Sequence, residues 1–131
     1  MKNEVSDKEL KKVIGDFLEM GHVENIVAMF RRYPDYYNWA GDILNDERLA
    51  VRLGVSILFE ELKAIQPDKI HLAIPSLKPL LSSDSPMIRG EAVGLLGIIG
   101  TKECFESIRT LASDPSPQVR EMVELALEDD Q

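Results

Sequence analysis

Leu80-Leu81-Ser82-Ser83-Asp84-Ser85-Pro86-Met87-Ile88-Arg89-Gly90-Glu91-Ala92 is a sentence that this chain writes more than once. The same grammar stands in Leu111-Ala112-Ser113-Asp114-Pro115-Ser116-Pro117-Gln118-Val119-Arg120. An offset of 31 residues sets Arg89 on Arg120, Leu77 on Ile108, Ser85-Pro86 on Ser116-Pro117 and Leu96 on Leu127. An offset of 37 sets Arg52 on Arg89, Leu44 on Leu81, Val55 on Ala92 and Leu62 on Ile99, so Leu44-Asn45-Asp46-Glu47-Arg48-Leu49-Ala50-Val51-Arg52 is a weaker third copy. Each unit reads as a helix, a tight acidic turn, a β-branched residue followed by arginine, and a second helix. Self-similarity at such a period is the mark of a repeat architecture, because one helix pair cannot bury its apolar stripe alone and stacked pairs can.

Beyond the repeats the spacing stays helical. Leu10, Val13, Ile14 and Phe17 form one stripe, Val23, Ile26, Val27 and Phe30 the next, then Tyr36, Trp39, Ile43 and Leu44. Val55, Leu58, Phe59, Leu62 and Ile65 follow on a longer helix, and strand-like alternation is scarce. The sum is an all-α chain of about eight short helices. Ser6 with Glu9 has capping-box spacing, and Gly21 and Gly100 sit where helices end in a left-handed residue. Ser85-Pro86 and Ser116-Pro117 place a capping hydroxyl before a proline at the first helical position. Pro34 and Pro67 mark two further starts, whereas Pro75 and Pro79 predict a late start or a bend across 70–82.

The pattern resembles the HEAT repeat, in the shorter variety found in bilin lyases and small prokaryotic repeat proteins. The resemblance covers about residues 36–130. It implies an α-α superhelix, a short solenoid of four antiparallel helix pairs filling one domain, 1–131. Residues 36–66, 67–100 and 101–130 are its repeat units, with 1–35 a degenerate unit or cap. It also implies a ladder between stacked units, made by a turn aspartate and the arginine six residues later. Asp46/Arg52 and Asp114/Arg120 keep that spacing. Beside Arg89, Ser83 holds the aspartate's place and Asp84 falls one residue late, which weakens that rung. Gly90, Gly94 and Gly97 fit close approach of neighbouring helices. A phosphate loop would need a strand before them, and the sequence offers none.

Of the 131 residues, 44% are hydrophobic and 29% charged, the balance of one ordinary domain. Fifteen basic against 23 acidic residues give a net charge of -8, which repels nucleic acid and anionic membranes and favours protein partners of basic or neutral surface. The lone Cys104 excludes an intrachain disulfide, and the charged start after Met1 is no signal peptide. The apolar run 92–99 is far short of a membrane span, so the expected compartment is the cytoplasm.

Chemistry-bearing motifs are few. His22, His71 and Cys104 share no ligand-like spacing, and neither a metal nor another cofactor is expected. Adjacent acids such as Glu60-Glu61 and Asp129-Asp130 point apart on a helix, and no catalytic motif stands out. The anomaly is aromatic: Phe30, Tyr33, Tyr36, Tyr37 and Trp39 crowd into ten positions with Arg31 and Arg32. One reading is a bulky corner with Phe30 and Trp39 toward the core. The other is a partner-binding surface made by Arg31, Arg32, Tyr33, Tyr36 and Tyr37, since Tyr and Arg are frequent hot spots. The acidic tail from Glu121 reads as a solvated face that frays after Leu127.

These observations predict a non-enzymatic protein-interaction module, an adaptor or regulatory scaffold binding a protein on one helical face, as a monomer or weak homo-oligomer. A tetrapyrrole-handling lyase-like accessory or enzyme subunit stands second, through the resemblance alone. A nucleic-acid binder of the HEAT-like kind stands last, opposed by the charge.

Overall fold

The computed structural model describes residues 6–128. Helix α1 (Asp7–Glu19) opens at Ser6, whose Oγ accepts from Glu9 N at 3.1 Å and donates to Glu9 Oε1 at 3.0 Å. Then come α2 (Val23–Arg32), α3 (Ala40–Leu44), α4 (Leu49–Ile65), α5 (Ile74–Leu77), α6 (Pro86–Ile99), α7 (Lys102–Arg109) and α8 (Pro117–Glu128). Among the described residues there are eight α-helices and no strand, so the chain is all-α. Gly21 (φ 84°) and Gly100 (φ 71°) take the left-handed conformation expected of them, and Ser85 and Ser116 cap α6 and α8 through Ile88 N and Val119 N. Among the described residues no helix is long and apolar enough to cross a membrane.

Two expected helices are finer-grained than the stripes suggest. Residues 34–39 form a 3₁₀ helix (Pro34–Trp39) before α3 begins. Side chains three apart eclipse in that geometry, and Tyr33, Tyr36 and Trp39 stand in a row, edge to face at 6.1 and 5.1 Å. Across 70–82 the backbone is 3₁₀ (Ile70–Ala73), then α5, then 3₁₀ again (Lys78–Ser82), with Pro75 and Pro79 each at the start of a new piece. A proline has no N–H to give to the preceding turn, so the long helix breaks into short ones.

Helices α2, α4, α6 and α8 stack in chain order, and α1, α3 and α5 form a second row against them, the succession expected of a solenoid. One core runs the length of the stack, from Ile14 and Phe30 through Phe59 and Leu77 to Leu96 and Val123. Close approaches fall where a side chain is missing. A Cβ on Gly41 would lie 2.0 Å from the Ser76 carbonyl oxygen, and one on Gly54 would lie 2.9 Å from Leu18 Cβ.

The repeat is visible as a shared turn. Asp46, Ser83 and Asp114 each accept, through a side-chain oxygen, from the N–H two residues on: Arg48, Ser85 and Ser116, at 2.9, 3.1 and 2.9 Å. In each copy the arginine six residues later donates Nη1 back to the carbonyl of that same residue. Arg52 reaches Asp46 O at 2.7 Å, Arg89 reaches Ser83 O at 2.8 Å and Arg120 reaches Asp114 O at 2.6 Å. A guanidinium thus closes every acidic turn onto the helix that follows it. Within a unit, the expected aspartate–arginine link therefore runs through the main chain rather than the carboxylate.

Between units the ladder has one full rung. Arg89 binds Asp114 of the next unit through Nε and Nη2 at 2.8 and 2.9 Å. Arg52 would meet the residue at 83, and serine supplies no carboxylate there. Its side chain is only 4% exposed, its Nε has no hydrogen-bond partner, and the nearest acid is Glu91 at 3.8 Å. Asp84, expected one residue late in the copy that holds Arg89, is exposed and makes no hydrogen bond; Ser83 holds that turn and gives its carbonyl to Arg89. Asp46 has no arginine behind it. It pairs with Arg48 of its own turn, whose Nη1 also reaches Asp16 and Glu19 of α1 at 2.8 Å each and so ties the first helix to the repeats.

Candidate functional site

The aromatic segment divides sharply. Tyr37 is wholly buried, edge-on to Phe30 at 5.0 Å, with its hydroxyl donating to Gln66 Oε1 at 2.8 Å. It offers nothing to a partner, which corrects its place in the expected binding surface. Burial pushes its phenol up to about 12, with the Asp68 charge adding to the rise. Tyr36 is half-buried between Phe30 and Trp39, and Lys11 Nζ lies 5.1 Å from the Trp39 ring centroid. Only Arg31, Arg32 and Tyr33 remain outward; Tyr33 is 53% exposed and stacked under the Arg32 guanidinium at 5.5 Å. The crowding is accounted for by the corner that turns α2 into the next unit.

The histidines and the thiol stay apart. His22 is exposed with its ring edge-on to Phe17, His71 is exposed, and Cys104 is buried in α7 with the Thr101 hydroxyl on its sulfur. Among the described residues no group of three or more His, Cys, Asp or Glu could hold a metal ion.

A second surface was not singled out from the sequence. Along α6 the residues Gly90, Gly94 and Gly97 leave the helix bare, and α8 settles close on it. Cβ atoms at Gly94 and Gly97 would meet Met122 Cε and Ala126 Cβ at 3.1 Å. On the outward side the same absence hollows a groove. Its floor is α6 from Met87 to Ile98, one wall is α4 and the other is α8. Three adjoining hollows of about 250, 260 and 360 Å³ follow the floor, all touching Met122.

Exposed apolar side chains line it: Leu53 on α4, Met87 on α6, whose Sδ accepts from Arg52 Nη2 at 2.6 Å, and Leu125 on α8. Leu49, Leu53 and Ile57 are 59, 53 and 52% exposed, and the spacing of four puts them on one face of α4. The groove carries charges of both signs: Glu60 on α4, Glu91 on α6 and Glu121 on α8 against Arg52 and Lys63 on α4, with Arg52 Nε 3.8 Å from Glu91. Glu60 and Glu121 are exposed and make no hydrogen bond or ion pair among the described residues. Lys63 is the one lysine there, and its Nζ is spent on the Ile99 carbonyl at 2.7 Å, at the C-terminus of α6. The sequence held the signal in the i, i+4, i+8 run 49–53–57, which lies opposite the core stripe of the same helix.

The chain matches no protein-family model, no curated protein and no solved structure.

Proposed function

We propose that the protein is a non-enzymatic interaction module, a HEAT-like adaptor acting in the cytoplasm, that binds a protein partner along the α6 groove. The reading is carried by the exposed Leu53, Met87 and Leu125 of α4, α6 and α8, which line the three adjoining hollows. Exposed apolar side chains gathered in a concave surface support an interaction role, because leaving them in water is unfavourable and they become buried on association.

The outward part of the aromatic corner, Arg31, Arg32 and Tyr33, is a second and smaller candidate on a different row of the stack. Affinity capture from host extract separates the two. Wild type is compared with Leu53→Glu/Leu125→Glu and with Arg31→Ala/Tyr33→Ala, each shown by circular dichroism to keep its helices. Loss of a retained protein in the first variant alone supports the groove, and loss in the second alone moves the site to the corner. If no variant and no wild type retains protein, the adaptor reading fails and ligand screening replaces it.

A further inference from the structure

We propose that Met87 is an oxidation site, a thioether whose sulfoxide oxygen is received by the unfilled edge of the Arg52 guanidinium. Arg52 is 4% exposed and held in place by its Nη1, which donates to the carbonyls of Asp46 and Glu47 at 2.7 and 2.9 Å. The edge formed by Nε and Nη2 is the one through which Arg89 takes both oxygens of Asp114. On Arg52 that edge has no oxygen acceptor. Its Nη2 lies on Met87 Sδ at 2.6 Å, its Nε is buried without a partner, and Glu91 Oε2 stands 3.8 Å from Nε. A thioether sulfur is a weak acceptor, and a buried donor left unpaired is unfavourable.

Met87 joins that contact to access. It is 58% exposed in the first turn of α6, so hydrogen peroxide reaches Sδ from water. A lone pair of Sδ attacks one peroxide oxygen, forming the S–O bond as the O–O bond breaks. The proton on the transferred oxygen passes to the departing hydroxide, which leaves as water; sulfur is oxidised by two electrons and the peroxide is reduced. The new oxygen is one bond from the sulfur that already faces Nη2, and it carries partial negative charge. It gives the guanidinium edge the acceptor that Ser83 does not supply. Methionine oxidation ordinarily weakens a fold by placing a polar group among apolar ones, whereas here it fills a polar vacancy. It also turns an apolar side chain of the groove into a polar one fixed to Arg52, which makes that surface responsive to oxidant. Met20 is the internal control: it is 59% exposed at the end of α1, and its sulfur makes no hydrogen bond among the described residues.

The test treats the full chain with dilute hydrogen peroxide, maps sulfoxides by peptide mass spectrometry, and follows thermal unfolding at the dose that converts the exposed methionines. Met87 should be converted alongside Met20, and the melting temperature should rise by about 4 °C in wild type and in Met20→Leu. Met87→Leu should show no rise. A second reading needs no substitution: after oxidation the Arg52 Nε–H resonance should move downfield and exchange more slowly with water. Met87 left intact at a dose that oxidises Met20 overturns the proposal. So does a melting temperature unchanged or lowered in Met20→Leu, an equal rise in Met87→Leu, or an unmoved Nε–H resonance. The proposal stands on this pair alone, so its failure leaves the adaptor reading untouched.

Discussion

Arg89 and Asp114 form a two-point ion pair across successive units, Nε to Oδ2 at 2.8 Å and Nη2 to Oδ1 at 2.9 Å, while both side chains are largely out of water. Asp114 also accepts from Ser116 N, so a single carboxylate closes its own turn and holds the preceding unit. Removing it leaves Nε and Nη2 of Arg89 without an acceptor, although Nη1 keeps the Ser83 carbonyl, and opens the turn at Ser116. Asp114→Ala is expected to lower the melting temperature by more than about 5 °C. Thermal unfolding checks this, and a change within error would show the rung to be dispensable.

Acid sensitivity follows from the same pair. The Arg89 guanidinium holds the Asp114 carboxyl below its ordinary range, and Arg48 does the same for Asp46 and, with Lys12, for Asp16. A carboxyl with a depressed folded pKa contributes stability that is present above its unfolded value of 3.8 and is lost as pH falls through the folded value. Stability is therefore expected to drop below about pH 4, and less steeply in Asp114→Asn, which has one such group fewer. Urea midpoints from pH 5 down to pH 2 measure the difference.

Arg52 keeps one donor without an acceptor: its Nη1 closes the turn at Asp46 and its Nη2 lies on Met87 Sδ at 2.6 Å, while Nε has no hydrogen-bond partner and the nearest carboxylate, Glu91, is 3.8 Å away. An aspartate at 83 would keep the Ser85 turn, as Asp114 keeps the turn at Ser116, and bring a second oxygen toward Arg52. Ser83→Asp is expected to stabilise the fold by about 1–2 kcal/mol, the contribution of a charge-assisted hydrogen bond. Ser83→Asn lacks the charge and should gain less. If Ser83→Asp gains nothing, or gains as much in an Arg52→Lys background, the equivalence of the two rungs is wrong.

Tyr37 gives the opposite end of the pH scale. Burial raises its phenol to about 12 from 10.0, so the folded chain retains a proton that the unfolded chain has released. Stability should then fall between pH 10 and 12, by about 2–3 kcal/mol from this group. In Tyr37→Phe that component should vanish, at the cost of about 1 kcal/mol near neutrality for the lost bond to Gln66. Denaturation at pH 8, 10 and 11.5 in both proteins reads it directly.

Gly41 tests the packing of α3 on α5. A methyl there would lie 2.0 Å from the Ser76 carbonyl oxygen, and Gly41 N is held by Ser76 Oγ at 3.0 Å. Backbone must move to admit it, so Gly41→Ala should destabilise by about 2 kcal/mol or more, despite alanine's better helix propensity. Guanidinium titration decides, and a stabilised variant would refute the close approach.

The repeat was legible because its markers are backbone devices. A Ser-Pro start, a turn residue and an arginine six later are written as spacing, and the arginine-to-carbonyl closure follows that spacing in all three copies. The 3₁₀ pieces at 34–39 and 70–82 were less so, since one apolar stripe fits three or 3.6 residues per turn over so short a run. The aromatic corner misled for a related reason: composition marks Tyr37 as a hot-spot residue, and only the neighbouring Phe30 and Gln66 show it facing inward. The groove could not be read from one segment. It needs Leu53, Gly94 and Met122 side by side, and stacking alone brings them there.

Methionine methyl NMR tests the groove most directly, because the described methionines divide cleanly. Met87 and Met122 line it, whereas Met20 and Met29 belong to the first helix pair. On addition of the protein that wild type captures and Leu53→Glu/Leu125→Glu loses, the Met87 and Met122 resonances should shift together and saturate while Met20 and Met29 stay in place. Shifts confined to Met20 and Met29, or none at all under saturating partner, would contradict the assignment of the groove as the binding surface.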